Sequence, residues 1–299
     1  MQVFERNLMD NLVQLNADLE SGVYRHGPYQ EFRINDPKPR KISKASVRDR
    51  LVHHALYQAL YPYFDRKFIA DSFSCRLNKG THAGGLRLRE LAGRVSLNYT
   101  RTCWALKCDI KQFFASIDHE IIIAILGREI EDMQVLAVLK DIVGSFESAP
   151  GKGLPLGNLT SQLLANVYMN EFDQFVKHVL REKFYVRYAD DFVLLSRSKK
   201  HLISVLSKIK DFLENTLKLL LHPNKVSIGT LAAGIDFLGW VHFPKHRVLR
   251  TVTKKRMERR LRESPTPATI QSYLGLLQHG NTHKISNQVR AIEELFRAA

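Results

Sequence analysis

Phe184-Tyr185-Val186-Arg187-Tyr188-Ala189-Asp190-Asp191-Phe192-Val193-Leu194-Leu195-Ser196 divides into two apolar, strand-prone arms around an acidic centre. That pattern predicts a β-hairpin carrying acids at its turn. The turn is chemically unusual, because a plain hairpin favours Asn-Gly or Asp-Gly and two adjacent carboxylates repel each other. A divalent cation would relieve the repulsion; a solvated turn is the competing explanation. Upstream, Trp104-Ala105-Leu106-Lys107-Cys108-Asp109-Ile110 is a second short apolar run, with Asp109 near its end. If the two runs neighbour each other in one sheet, Asp109, Asp190 and Asp191 converge at one edge. Three gathered carboxylates are costly unless metal-bound, and hard oxygen ligands suit Mg²⁺. Two such ions roughly 4 Å apart activate a 3′-hydroxyl and stabilise a departing pyrophosphate oxygen during in-line attack.

Between these runs, Asn158 to Val179 reads as a long helix after the breakers Gly153, Pro155 and Gly157. Beyond them, Ile235-Asp236-Phe237-Leu238-Gly239-Trp240-Val241 is a further strand-rich patch. Mixed in this way, the elements imply an α+β domain with helices on one face of a sheet. Residues 1–97 read as helical pieces around Asn35-Asp36-Pro37-Lys38-Pro39-Arg40-Lys41, whose two prolines favour an extended or turn conformation. From Arg48 to Tyr61 the apolar residues recur at a helical period. Lys245 to Arg262 holds nine Lys/Arg and one acid, Glu258. A solvated helix face would explain that run, and so would a surface tracking a duplex backbone.

Across the chain, 45 Lys and Arg against 30 Asp and Glu give a formal net charge of +15. Such an excess favours polyanions through counterion release, although a basic protein without a particular partner satisfies it too. The first twenty residues carry Glu5, Asp10, Asp18 and Glu20 and lack the apolar core of a signal peptide. No apolar run is long enough to span a bilayer. The three cysteines, Cys75, Cys103 and Cys108, fit a reducing cytoplasm, and Cys103 and Cys108 read as buried thiols rather than zinc ligands. No repeat or low-complexity tract is present.

With these residues in view, the chain resembles the reverse transcriptases. Tyr188-Ala189-Asp190-Asp191 is similar to their Tyr-X-Asp-Asp motif, and Asp109-Ile110-Lys111-Gln112-Phe113-Phe114 to their first palm motif. Gly153-Leu154-Pro155-Leu156-Gly157-Asn158-Leu159-Thr160-Ser161-Gln162 resembles the template and nucleotide-binding motif. Pro39-Arg40-Lys41-Ile42 with Arg48-Asp49-Arg50-Leu51-Val52, and Ser74 to His82, resemble the two fingers blocks. Phe237-Leu238-Gly239-Trp240 resembles the primer grip. The blocks occur in the family's order over roughly residues 30–285.

The resemblance implies an α+β right-hand polymerase fold. It comprises an N-terminal extension and fingers over 1–97, a palm over 98–243 and a short helical thumb over 244–299. The palm is a ferredoxin-like antiparallel sheet plus helices, with fingers helices inserted at about 119–150. The resemblance also implies two Mg²⁺ ions, with Mn²⁺ able to substitute, held by Asp109, Asp190, Asp191 and the backbone at Ile110. Arg40 and Lys41 would bind the triphosphate, for which a guanidinium fork is suited. Phe114 would sit beneath the incoming sugar and exclude a 2′-hydroxyl, unless it is a core aromatic. Leu156 and Gln162 would line the nucleotide site, and Lys225 would protonate pyrophosphate unless it is simply solvated. Template and primer would meet Arg76, Lys79, Gly157, Ser161, Tyr188, Leu238, Gly239, Trp240, Lys254, Lys255 and Arg256.

Leu156 before Gly157, and Gln162 after Ser161, resemble the reverse transcriptases of diversity-generating retroelements rather than the commonest intron-encoded pattern. Those enzymes copy a template RNA into cDNA with errors at adenines, beside a small basic accessory protein. Leu156 has no amide to hydrogen-bond the nucleotide, so positioning would loosen. The partners implied are an RNA template, a DNA or RNA primer, dNTPs and that accessory protein. The resemblance leaves oligomers open and implies no membrane partner and a location in the cytoplasm of a bacterial, archaeal or phage-infected cell. On this reading residues 253–299 would hold only a short helical thumb, with no room for a DNA-binding or endonuclease module, and dependence on partners in trans is expected. A retron, defence or intron-type reverse transcriptase is the alternative. A non-catalytic nucleic-acid-binding protein on a polymerase fold is a further one, opposed by the intact aspartates.

Overall fold

The computed structural model describes Phe4, Arg6–Asn35 and residues 39–298, with side chains as far as Glu294. Asp36, Pro37 and Lys38 of the Pro-punctuated segment lie outside the described residues. In chain order the elements begin with α1 (Leu8–Glu20), β1 (Gln30–Ile34), β2 (Arg40–Lys44), α2 (Val47–Lys67), α3 (Thr81–Val95) and β3 (Trp104–Asp109). The one-turn α4 (Phe113–Ser116) precedes α5 (His119–Gly127), α6 (Met133–Gly144) and α7 (Leu159–Gln174). Then come β4 (Tyr185–Tyr188), β5 (Asp191–Ser196), α8 (Lys199–Thr216), β6 (Ser227–Thr230), β7 (Ile235–Phe237), β8 (Trp240–His242) and β9 (Arg247–Leu249). Three helices follow: α9 (Thr251–Glu263), α10 (Pro267–Leu277) and α11 (His283–Ala298).

Two compact units account for the chain. The first gathers Met1–Ala70, Asp109–Arg181 and Ser207–Asn224. Its α2 starts at Ser46, whose hydroxyl accepts from the Asp49 N–H, and ends on Arg66 and Lys67, a charge order that suits the helix dipole. The helical period read from Arg48 to Tyr61 is this helix. α7 packs against it, and a buried polar chain joins them: His53 Nδ1 lies 2.5 Å from Thr160 Oγ1, and His53 Nε2 lies 3.0 Å from His26 Nε2. Burial pushes His53 down to about 4. The long helix read from Asn158 to Val179 is α7 together with a π-helical turn, Phe175–Val179.

The flanks of the Pro-rich segment are strands rather than helical pieces. β1 pairs antiparallel with β2 from Gln30↔Lys44 to Ile34↔Arg40. In β2 only Ser43 is buried and Ile42 half-buried, while Arg40, Lys41 and Lys44 are exposed, so the pairing with β1 rather than a continuous apolar face makes the strand.

The second unit gathers Asp71–Cys108, Glu182–Leu206 and Lys225–Ala299. It carries a four-stranded sheet in the order β4-β5-β3-β6, with β3 antiparallel to β6 and β4 antiparallel to β5. α3 covers one face, burying Leu88, Leu91, Ala92 and Val95 against Ala105, Val186, Val193 and Leu195. Cys103 belongs to this core and Cys108 is fully buried. Neither is in a disulfide, and burial pushes the Cys103 thiol up to about 12. A three-stranded antiparallel sheet, β7-β8-β9, leads into the terminal helices. There Trp240, Leu249, Met257, Leu261, Ile270, Leu277 and Val289 form a separate core. α9 buries only Met257 and Leu261 and turns its basic residues outward. Among the described residues no helix is long and apolar enough to cross a membrane.

Candidate active site

The hairpin read from Phe184 to Ser196 forms with Tyr188 opposite Asp191, so that Ala189 and Asp190 are its two turn residues. Ala189 takes φ +53°, a left-handed conformation that an L residue adopts at a cost of roughly 1–2 kcal/mol. Glycine is the usual residue there in two-residue hairpins. The strain is held by Arg187. Its side chain is fully buried, Nη1 donates to the Ala189 carbonyl at 3.0 Å, and Nη2 donates to Ser72 Oγ at 3.1 Å. The backbone of Arg187 is fastened as well, its N–H to Asp71 O and its carbonyl to Phe73 N–H, both at 3.0 Å. A buried guanidinium is tolerated only with its donors engaged, so the segment Asp71–Phe73, bridged to Arg187 at Ser72, and the acidic turn are tied into one block.

Asp191 begins β5, and its Oδ2 lies 3.5 Å from Lys107 Nζ, with both side chains about four-fifths buried. Lys107 lies two residues before Asp109 on β3, so the two share a face of the strand. β3 is the direct neighbour of β5 in the sheet. The ion pair therefore sets the C-terminal half of β3 beside the first residue of β5. Among the described residues no three His, Cys, Asp or Glu side chains are gathered closely enough to hold a metal ion. Carboxylate oxygens are hard ligands of the kind that suits Mg²⁺, and the Lys107 ammonium offsets the charge of Asp191.

Other predicted residues fall into place in each unit separately. In the second unit, burial first and then Cys75 raise the Tyr188 phenol, which packs against the sheet core. Arg76 donates to the Ser72 carbonyl at 3.1 Å, and Lys79 lies 4.8 Å over the Phe73 ring. Leu238 (φ +52°) and Gly239 (φ +84°) form the β7–β8 turn. Trp240 is 3% exposed, packed under Gly280 and 4.9 Å from the Arg247 guanidinium. Lys225 is exposed, as is Lys255 on α9, where Lys254 pairs with Glu258 at 3.7 Å and Arg256 is half-buried.

In the first unit the Leu156–Gln162 motif is backed by β2. Ser43 N–H donates to Leu156 O at 3.0 Å and Asn158 Nδ2 donates to Ser43 O at 2.9 Å. Gly157 takes φ +110°, and a Cβ there would come within 2.7 Å of Ile42. The strand that positions this loop also carries the exposed Arg40 and Lys41, and Lys41 pairs with Glu31 at 2.7 Å. Ser161 is buried and Gln162 exposed at the start of α7. Phe114 is half-buried edge-on to the buried Phe113, and Ile110 bridges Leu221. Sequence reading missed Arg187 and Lys107. The available signal was a charge inside each apolar strand run.

A family model described as reverse transcriptase (RNA-dependent DNA polymerase) matches residues 34–242. The chain belongs to this reverse transcriptase family. Protein YkfC of Escherichia coli K12 is similar at 27% identity, over 83% of this chain and 74% of its own length. Group II intron-encoded protein LtrA of Lactococcus lactis subsp. cremoris is similar at 23% identity, over 83% of this chain and 51% of its own. A solved telomerase from Candida albicans, in complex with a TWJ fragment of telomeric RNA, superposes with a TM-score of 0.61 at 12% identity. It covers 93% of this chain, which spans 55% of the telomerase chain. That likeness shows a shared fold, and the α+β polymerase fold expected from the sequence is the one found. The reverse transcriptase match contains the hairpin, the Leu156–Gln162 loop and the β7–β8 turn, and ends before α9.

Proposed function

We propose that this reverse transcriptase copies a template RNA into cDNA from a DNA or RNA primer. Asp109, Asp190, Asp191 and the backbone at Ile110 hold two Mg²⁺ ions, for which Mn²⁺ can substitute. The observation that carries this reading is the adjacency of β3 and β5, with Lys107 of β3 reaching Asp191. When bound, the ions supply Lewis-acid activation of the primer 3′-hydroxyl and neutralise charge on the pyrophosphate. The chain's own residues do the rest. Arg40 and Lys41 hold the triphosphate, Phe114 excludes a 2′-hydroxyl, and Lys225 delivers a proton to pyrophosphate. Gly157 leaves the backbone open to the template, and Lys254, Lys255 and Arg256 follow the duplex phosphates. Arg187 holds the acidic turn still while these groups act.

The finer reading is a diversity-generating retroelement enzyme that errs at template adenines, working in the cytoplasm with a small basic accessory protein. Leu156 supports it: anchored through its carbonyl to Ser43, it offers the nucleotide an aliphatic side chain with no hydrogen-bonding group. Discrimination between correct and incorrect pairs then loses one positioning contact. The test is extension of a primed RNA of defined sequence with Mg²⁺, with and without the accessory protein, followed by sequencing of the cDNA. Errors concentrated at adenines are expected, and Leu156→Gln is expected to reduce them. An error rate equal across the four template bases overturns the finer reading and leaves cDNA synthesis standing. The similarity to an intron-encoded protein favours a second reading, an intron-type enzyme of ordinary fidelity. The same sequencing separates the two.

A further inference from the structure

The first unit carries an apolar groove of about 540 Å³ that takes no part in the polymerase chemistry. Leu19 of α1, Val52, Ala55 and Ala59 of α2, and Ile130 and Val135 at the α5–α6 junction line it. The lining on α2 recurs at i, i+3 and i+7, one helical face, and Ala55 and Ala59 are exposed there. α2 packs its other face on α7, so this helix has two apolar faces and only one is covered. The apolar surface continues along α1. Met9 and Val13 are 70% and 65% exposed, and by helical spacing they share a face with Glu20, which also lines the groove. From Met9 to Glu20 is roughly 16 Å of helix, three turns of surface that water would otherwise cover.

The mouth is acidic. Glu20, Glu129, Glu131 and Asp132 ring it, on a chain whose net charge is +15. Glu129 is engaged by Lys67 and by the Tyr63 hydroxyl, and the nearby Arg128 turns to Glu171 at 2.9 Å. Glu20, Glu131 and Asp132 therefore carry the local field and are exposed. At a Debye length of about 8 Å these rim charges outweigh the distant basic surfaces for anything seated in the groove. Nucleic acid and anionic lipid are repelled there, and an acidic partner gains nothing.

We propose that this groove and the α1 face receive an amphipathic, basic helix of a partner protein. Its apolar stripe lies along α2 and α1, and its Lys/Arg flank faces the acidic rim. The surface would take such a helix whichever nucleic acid the chain copies, so the inference is independent of the polymerase reading.

The test uses the full chain, nuclease-treated to remove bound RNA, and two labelled 18-residue peptides followed by fluorescence anisotropy at physiological salt. Both carry leucine at i, i+3, i+4 and i+7; one is flanked by lysine, the other by glutamate. The lysine peptide is expected to bind with Kd ~10 µM and the glutamate peptide at least tenfold more weakly, although overall charge favours the reverse. Ala59→Phe, at an exposed lining position, should weaken the lysine peptide at least tenfold. The double variant Glu20→Lys with Glu131→Lys should weaken it at least fivefold. Both variants should retain the parent's circular dichroism and primer extension; if Ala59→Phe misfolds, Ala55→Gln takes its place. Equal binding to parent and groove-filled variant overturns the proposal, as does no binding to the parent. A dimer of this chain that Ala59→Phe dissolves also overturns it, by making a second copy the occupant.

Discussion

Two hairpins of the second unit share a design and differ in what holds it. Both close through two residues, and each sets a non-glycine residue at nearly the same positive φ, Ala189 at +53° and Leu238 at +52°. In the β7–β8 hairpin packing sustains the strain. A Cβ on Gly84 of α3 would come within 2.9 Å of Leu238 Cδ1, so that contact is close, and Trp240 is sunk in the terminal-helix core. In the β4–β5 hairpin the tip bears Asp190 and Asp191, and charge sustains it through the buried Arg187 and Lys107. Apolar packing holds the Leu238 tip through its side chain, whereas polar fastening holds the Ala189 tip through its carbonyl. The two tips therefore differ in how they are fastened, by buried charge at Ala189 and by apolar packing at Leu238.

The largest expected effect separates them by activity. Asp190→Ala should lower primer extension by more than about 10³-fold with little change in melting, because a ligand lost from a metal-assisted reaction acts on the transition state. Leu238→Ala, in the turn that resembles the primer grip, should weaken primer use by a much smaller factor, about tenfold or less. Equal activity of Asp190→Ala and parent in a primer-extension assay would remove the proposed site.

Next in size is the fastening itself. Arg187→Met removes a buried charge and strands the Ala189 carbonyl, at a cost of about 3–5 kcal/mol by urea denaturation. A loss under about 1 kcal/mol would show that the tip is held by something other than Arg187.

Acid should strike the second hairpin. Burial, opposed by the hydrogen bond of His242 Nε2 with Phe237 O, lowers His242 to about 4 from an ordinary value near 6.5. The unfolded chain binds that proton first, so the contribution is complete above pH 6.5 and is lost as pH falls towards 4, by on the order of 3 kcal/mol. His53 in the first unit acts in the same direction. His242→Gln should flatten part of the pH dependence of the melting temperature between 4 and 6.5; an unchanged slope would contradict the assignment.

The smallest effects compare the turns directly. Ala189→Gly should stabilise by about 0.5 kcal/mol, since relief of the left-handed alanine exceeds the entropy glycine adds to the unfolded chain. Gly239→Ala, which meets open space but sits at φ +84°, should destabilise by about 1 kcal/mol. Calorimetry showing the same sign for both would mean that strain is not what distinguishes the two tips.

Much of this was legible from residue order. Alternating apolar arms around Asp190-Asp191 indicated the hairpin, the helical period indicated α2, and the breakers before Asn158 marked the start of α7. The β1–β2 strands were not legible, because prolines announce only that a helix is absent and short exposed strands carry a weak apolar signal. Lys107 and Arg187 were passed over because a charge in an apolar run has no meaning until its partner, distant in sequence, is known.

By itself the chain's sequence determined its chemistry: which acids it owns, their order among the motifs, and an aliphatic Leu156 where a polar group could have stood. Local periodicity and turn residues act over a few positions, so they are written in the chain. Only the tertiary structure decided that β3 lies beside β5, that Arg187 is buried under a strained alanine, and that an acid-rimmed groove stays open on α2. Those outcomes depend on burial and on pairings between residues far apart, which no local stretch of sequence encodes.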